Sequence, residues 1–178
     1  MGCDPVGDSS ARDGGAVNST LPTRYEVLQA CRGELDSDHP LLAAARQLTR
    51  WHERRLVAGT SECPESASRK PEPDPASPVT GSPCGAAESR ADLITRIDRW
   101  AEIHVPPVRG AAFVHTETLG SVLDRLAYLT AHAYTALAAH DEWELWFLWE
   151  RLAELSCAYE DLVTELAAGR RRLPGTMI

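Results

Sequence analysis

The chain has 178 residues, of which 43% are hydrophobic and 25% are charged, and its formal net charge is −8. This composition is typical of a single soluble domain with one sizeable core. The acidic balance argues against a nucleic-acid partner, which needs a basic face to displace phosphate counterions. The sequence has no membrane-length apolar run, and its first 20 residues lack the features of a secretory signal. We therefore expect no membrane contact and a cytoplasmic location.

Two segments have the composition of disordered chain. Residues 1–20 are rich in Gly, Ser, Asp and Asn, and residues 59–87 contain six of the twelve prolines. Such sequences bury too little apolar surface to fold alone. We predict a disordered N-terminus at 1–20 and a flexible Pro/Ser-rich insertion at 59–87. Residues 21–58 and 88–170 then form one domain.

The rest of the sequence has apolar residues at steps of three and four, the pattern of amphipathic helices. It predicts helices over about 23–32, 38–56, 88–104, 115–139 and 141–168, and no strands. The last two are separated by little more than His140 and Asp141, so they are expected to pack as an antiparallel hairpin. The predicted fold is all-α, a compact helical bundle.

The last predicted helix combines a regular apolar seam with an acidic face. Residues 141–168 contain eight acidic residues and one arginine, a net charge of −7. Four of these acids, Glu150, Glu154, Asp161 and Glu165, fall opposite the seam, where a solvated face belongs. A Mg²⁺ site of the kind found in helical nucleotide pyrophosphatases is the alternative, but no matching acidic pair occurs on a neighbouring helix. The seam is formed by Leu145, Leu148, Leu152, Leu155, Tyr159, Leu162 and Leu166.

Helix 115–139 is predicted to be the central helix of the bundle. Leucines and a valine form one apolar face, and alanines occupy faces where charges normally lie. Only Glu117, Asp124 and Arg125 are charged among its 25 residues. A helix that is apolar on all sides is usually buried. The charges on this helix therefore need partners or a function.

A polar stripe on this helix is the candidate site. At helical spacing Glu117, Ser121, Asp124 and Tyr128 share one face, and Arg125 lies beside them. If another helix covers the stripe, each carboxylate needs an arginine, a metal or a ligand to offset the cost of burial. The cluster is either a ligand-binding site or a buried network that fixes helix register. The arginines considered as partners are Arg125, Arg96 and Arg99.

Residues 116–126, Thr-Glu-Thr-Leu-Gly-Ser-Val-Leu-Asp-Arg-Leu, resemble the signature of the bacterial family called domain of unknown function 4254, in which Thr-Glu, Gly-Ser and Asp-Arg recur in this order. Residues 91–100 are similar to the helix that precedes this signature in the family. The resemblance covers about 88–168 and, more loosely, 39–55. It implies an all-helical fold and a shared polar cluster, carried here by Glu117, Ser121, Asp124 and Arg125. It implies no known reaction.

Histidines provide a metal-dependent alternative for the same cluster. The candidates are His52, His104, His115 and His132, and two or three of them meeting Glu117 or Asp124 would suit Zn²⁺ or Fe²⁺. The sequence has no His-Glu-x-x-His or Glu-x-x-His spacing. No metal site is therefore predicted, and the cofactor stays unassigned.

The five cysteines indicate neither a disulfide framework nor a zinc knuckle, because they are widely spread and form no Cys-x-x-Cys pair. Cys157, on the last helix, is predicted to be a buried free thiol that packs as a small hydrophobe.

Three tryptophans on the last helix, Trp143, Trp146 and Trp149, point in different directions around its axis and cannot all face one core. Trp146 and Phe147 flank the apolar seam. The region of Trp143, Trp146 and Phe147 is therefore a candidate surface for a homo-oligomer or a protein partner.

Two classes of function follow. In the first, the protein is a small-molecule-binding or protein-interaction module centred on a buried cluster of Glu117, Asp124 and Arg125. In the second, it is a small metal-assisted, hydrolase-like enzyme that uses the same carboxylates and a nearby histidine. Convergence of a histidine on the carboxylates favours the enzyme. A fully paired carboxylate–arginine network without a cavity favours the module.

Overall fold

The computed structural model describes residues 21–60, 88–108 and 112–175, with no side-chain placement for residues 59–60. The predicted disordered N-terminus, 1–20, and residues 61–87 of the predicted insertion lie outside the described residues. The elements are α1 (Arg24–Arg32), α2 (Pro40–Thr60), α3 (Arg90–His104), β1 (Phe113–Val114), α4 (Leu119–Ala139), α5 (Glu142–Ala167) and β2 (Arg171–Arg172). The prediction of an all-α fold is confirmed.

Helix ends are set by local capping. The Thr23 side chain accepts a hydrogen bond from the Glu26 N–H while the Glu26 carboxylate accepts from the Thr23 N–H, and Ser89 and Asp92 form the same reciprocal box at the start of α3. Gly33 ends α1 with a φ of 76°, a conformation that only glycine adopts without a steric penalty.

Two helix boundaries and one pair of strands differ from the sequence prediction. α2 continues to Thr60, past its predicted end and into the first residues assigned to the insertion. α4 begins at Leu119 with Thr118 as its cap, so residues 115–118 are not helical and Glu117 lies before the helix. The prediction of no strands was also wrong, because Phe113–Val114 pairs in parallel with Arg171–Arg172. A two-residue strand is too short to show an alternating pattern.

α4 is the central helix, as predicted, because it packs against α1, α2, α3 and α5. Leu119, Leu123 and Leu126 on α4 are fully buried. α2 and α5 both pack along α4 but do not contact each other. α2 contains four arginines and one glutamate, whereas α5 contains seven acidic residues and one arginine. The two helices that flank α4 therefore have opposite net charge.

α5 packs through its predicted seam. Leu148, Leu152, Leu162 and Leu166 are buried, and the carboxylates on the other side of the helix are mostly exposed. Tyr159 is fully buried, and its hydroxyl donates a 2.8 Å hydrogen bond to the Pro22 carbonyl. The hydroxyl is therefore satisfied despite its burial, and it joins α5 to the chain that leads into α1.

The prediction for Cys157 was wrong. Cys157 is exposed on α5, next to the Arg24 guanidinium, because it lies one position away from the buried Ser156 on the seam. The described residues include two cysteines, and Cys31 is the one that is buried. Burial raises the pKa of Cys31 to about 11, although Thr49 and Thr130 hydrogen bonds oppose the shift.

These two thiols are expected to differ in reactivity. Alkylation requires an accessible thiolate. In the native protein, iodoacetamide should therefore modify Cys157 at least roughly tenfold faster than Cys31. Peptide mass spectrometry after a timed iodoacetamide pulse measures both rates in one sample. In urea the two rates should become similar. Equal rates in the native protein would contradict the burial of Cys31.

Candidate functional site

Asp124 is the buried carboxylate of the predicted stripe. It lies in the first half of α4 with 3% of its surface exposed. The Arg90 guanidinium donates two hydrogen bonds to it, from Nε to Oδ1 at 2.9 Å and from Nη2 to Oδ2 at 2.6 Å. His52 Nε2 lies 3.0 Å from Oδ1. The three residues belong to α2, α3 and α4, so the carboxylate joins three helices.

The pKa of Asp124 depends on two opposing effects, its burial and its contacts with His52 and Arg90. Burial alone would raise it, but the hydrogen bonds and electrostatic attraction of His52 and Arg90 outweigh burial, so the pKa lies below its ordinary value. The same contact raises the pKa of Arg90, chiefly through the hydrogen bond to Asp124. The carboxylate is therefore ionised at neutral pH.

This shift predicts how stability changes with acid. A carboxyl group whose pKa is lower in the folded state binds fewer protons there, so its stabilising contribution is present above the unfolded pKa of about 3.9 and is lost below it. The free energy of unfolding should fall as the pH decreases from about 4. Urea unfolding between neutral pH and this range measures the effect. The free energy of unfolding of Asp124→Asn should fall less steeply with decreasing pH. If it falls in parallel with that of the native protein, the lowered pKa of Asp124 is contradicted.

His52 and Arg90 also line a cavity of about 410 Å³. We call it the Arg90 cavity, and its lining residues are Trp51, His52, Arg55, Leu56, Arg90, Tyr128 and His132. Asp124 lies behind this lining and holds two of its members. A buried carboxylate thus positions a guanidinium and an imidazole at the wall of a cavity.

Aromatic rings pack closely around the Arg90 cavity. The Tyr128 ring lies 4.0 Å from that of His132 and 5.5 Å from that of His52, between centroids. The Arg55 guanidinium lies 5.2 Å from the centroid of the Trp51 ring, within the range of a cation–π contact. Burial lowers the pKa of His132, electrostatic repulsion from His52 lowers it further, and Glu144 opposes the shift.

The other predicted site residues do not join Asp124. Glu117 and Arg125 form a separate ion pair with 2.5 Å between Oε1 and Nη1, in which the arginine side chain is 53% exposed. Ser121 belongs to the start of α4, where its N–H donates to Thr118 Oγ1 at 3.2 Å. Tyr128 lines the Arg90 cavity. Because Glu117 precedes the helix, the helical spacing from which the stripe was drawn does not apply to it.

The arginine partner of Asp124 was not among those considered from the sequence. Arg96 binds Glu88 and Arg125 binds Glu117, while Arg90 reaches Asp124. The signal that the sequence offered was the small residue Gly120, which marks the place where α3 approaches α4 closely. The Gly120 N–H donates to Asp98 at 2.7 Å. Four residues further along α4, an antiparallel α3 brings a residue near 90–94 opposite Asp124.

Within 21–60, 88–108 and 112–175 no group of three or more His, Cys, Asp or Glu side chains has an arrangement that holds a metal ion. No helix in the same part of the chain has the length and apolar character that crossing a membrane requires.

Comparison with known proteins places these residues in a family. No curated protein and no solved structure matches the chain. A family described as a protein of unknown function, DUF4254, matches residues 85–174, about half of the chain. The matched region includes Arg90, Asp124 and Tyr128, whereas His52 lies outside it. Residues 39–55, where the resemblance was looser, also lie outside the match. The match confirms the resemblance over 88–168, and the chain belongs to the DUF4254 family of proteins of unknown function.

Proposed function

We propose that the protein is a binding module that takes a polar small molecule in the Arg90 cavity. The volume of about 410 Å³ lies within the range of about 300–1,000 Å³ that small-molecule sites occupy. The lining combines rings, one aliphatic side chain and a few polar groups, which is the usual composition of such sites. We infer a cytoplasmic location from the sequence.

One observation carries this proposal. Arg90 and His52 both line the cavity, and both are bound from behind by the same buried carboxylate. A contact that served only to fix helix register would not require its arginine to be 46% exposed at a cavity wall. Side chains that are already fixed lose less conformational entropy when a ligand binds, so this arrangement favours binding.

Thermal unfolding across a panel of nucleotides, organic acids, amines, divalent metals and chelator tests the proposal. A ligand present at one hundred times its Kd adds about 2.7 kcal/mol of stability to the folded state. Leu56→Trp should fill the cavity and abolish the shift. Val57→Trp, at the neighbouring exposed position, should retain it. A panel without shifts, or a shift that Leu56→Trp leaves intact, would exclude the Arg90 cavity as the binding site.

A small hydrolase-like enzyme is the second candidate. The observation that favours it is the 3.0 Å contact between His52 and Asp124, because a carboxylate that orients an imidazole is a common arrangement for a general base. Arg90 neutralises part of the same carboxylate, which weakens this reading. A metal-dependent shift in the panel that is lost in Asp124→Asn would favour the enzyme over the module.

A protein partner or a second copy of the chain, bound through the predicted aromatic surface, is a further proposal. Trp143 is 79% exposed and Trp146 is 60% exposed, and their ring centroids lie 6.3 Å apart. Exposed aromatic groups of this size are enriched at interfaces. Sedimentation of the native protein and of a Trp143→Ser/Trp146→Ser variant measures self-association. Monomers in both samples would exclude the homo-oligomer.

A further inference from the structure

We infer that the ligand of the Arg90 cavity is an anion carried on a flat ring, with its acidic group between Arg55 and Arg90. This inference rests on the proposed function and specifies the chemistry of the ligand. All ionisable side chains that line the cavity other than the Tyr128 phenol are bases, although the whole chain has a net charge of −8. Two carboxylates act on these bases without lining the cavity. Asp124 lies behind them and is occupied by its contacts with Arg90 and His52, and Glu144 acts on His132.

Arg55 supplies the first contact for an anion. Among the described residues no hydrogen-bond or ion-pair partner engages its guanidinium, which is held instead against the Trp51 ring. In the same part of the chain some arginines pair with acids, namely Arg32, Arg46, Arg96, Arg125, Arg151 and Arg170. Others lack an acid as Arg55 does but are not held against a ring, namely Arg50, Arg54, Arg99 and Arg172. An arginine that is held in place by a ring and lacks an acid is suited to bind a carboxylate or a phosphate.

Arg90 supplies the second contact. Its Nε and Nη2 atoms donate to Asp124, and no described residue is hydrogen bonded to its Nη1 atom. The Asp124 contact therefore fixes the plane of the guanidinium without using all of its donors. Because a guanidinium has five N–H donors, the remaining donors are available to an anion in the cavity.

The lining rings define the rest of the ligand. Trp51, Tyr128 and His132 contribute flat surfaces, and Leu56 adds an aliphatic one. Stacking on such rings and contact with apolar carbon both favour a planar organic group over a bare inorganic ion. A compact aryl or heteroaryl acid satisfies the charge and the shape together.

The groove between α4 and α5 lacks this combination. It has a similar volume of about 430 Å³, and it is also lined by two arginines, Arg125 and Arg151. Each of these pairs with a glutamate, Glu117 and Glu154 respectively. Its lining therefore has no unpaired base for an anion, and we assign the anion to the Arg90 cavity.

Calorimetric titration with phenyl phosphate, benzoate and phenol tests the inference, up to about 10 mM because fragments of this size bind weakly. Both anions should bind more tightly than phenol. A tighter phenyl phosphate identifies a phosphoryl group, and a tighter benzoate identifies a carboxylate. Arg55→Gln should weaken anion binding by roughly tenfold or more, as expected for the loss of a charged hydrogen bond.

Arg54→Gln is the matched control, because Arg54 is the adjacent exposed arginine and lines a different, smaller cavity. It should leave anion affinity within about twofold of the native value. Equal loss in Arg54→Gln and Arg55→Gln would overturn the inference in favour of general surface attraction. Phenol binding as tightly as the anions would also overturn it, while leaving a small-molecule cavity in place. Absence of any binding by the three probes would overturn the ring-borne anion, and the wider thermal panel would then decide the proposed function separately.

Discussion

Asp124→Ala is expected to lower the free energy of unfolding by about 3 kcal/mol. The substitution removes the acceptor of two hydrogen bonds from Arg90 and of one contact with His52. His52 is 8% exposed and loses its polar partner in the interior. The Arg90 side chain is 46% exposed, so water satisfies part of its lost bonding, which places the cost at the low end of the range for a broken buried pair.

Urea unfolding at neutral pH measures this cost. Asp161→Ala is the control, because Asp161 is an exposed acid on α5, and it should change the free energy by no more than about 0.5 kcal/mol. If the two variants cost the same, the buried carboxylate contributes nothing to the joining of α2, α3 and α4.

Gly120→Ala is expected to lower the free energy of unfolding by about 1–3 kcal/mol. An added Cβ would lie 2.6 Å from the Ile94 carbonyl oxygen and 2.9 Å from Asp98 Oδ1. The nearest obstacle is backbone, so α3 has to move away from α4. Helix propensity alone would give the opposite sign, since alanine is favoured over glycine by about 1 kcal/mol in a helix interior. The sign of the measured change therefore decides between close packing and propensity.

Chemical denaturation of Gly120→Ala provides that measurement, and Thr135→Ala on the exposed side of α4 is its control. The control should be nearly neutral. Because Arg90 is on α3, the helix that moves, Gly120→Ala should also weaken the binding of any ligand in the Arg90 cavity. A variant more stable than the native protein would show that α3 and α4 are not in contact at Gly120.

Helix positions were predictable because they depend on local periodicity and capping. The central place of α4 followed from its alanine-rich faces, and the buried seam of α5 followed from its regular spacing. The error at residues 115–118 has a local cause, since Thr118 is a better cap than it is a helix-interior residue. Once α4 starts at Leu119, Glu117 no longer shares the face of Asp124.

The partners of Asp124 were less predictable, because they come from other helices. The sequence indicated that a charge on an apolar helix needs a partner, but it did not identify that partner. Which arginine reaches it depends on how α3 is placed along α4, and that placement depends on contacts such as the one at Gly120. His52 was one of several candidate histidines, and only the packing of α2 on α4 singles it out.

The opposite charges of α2 and α5 have a kinetic consequence. With a basic helix and an acidic helix both packed on α4 and not on each other, the part of the protein that the structure describes has an electric dipole that runs across the bundle. A small anion that diffuses toward it is repelled from the α5 side and attracted to the α2 side, so the encounter is oriented before contact. The association rate of such an anion should therefore decrease with ionic strength more steeply than its dissociation rate changes.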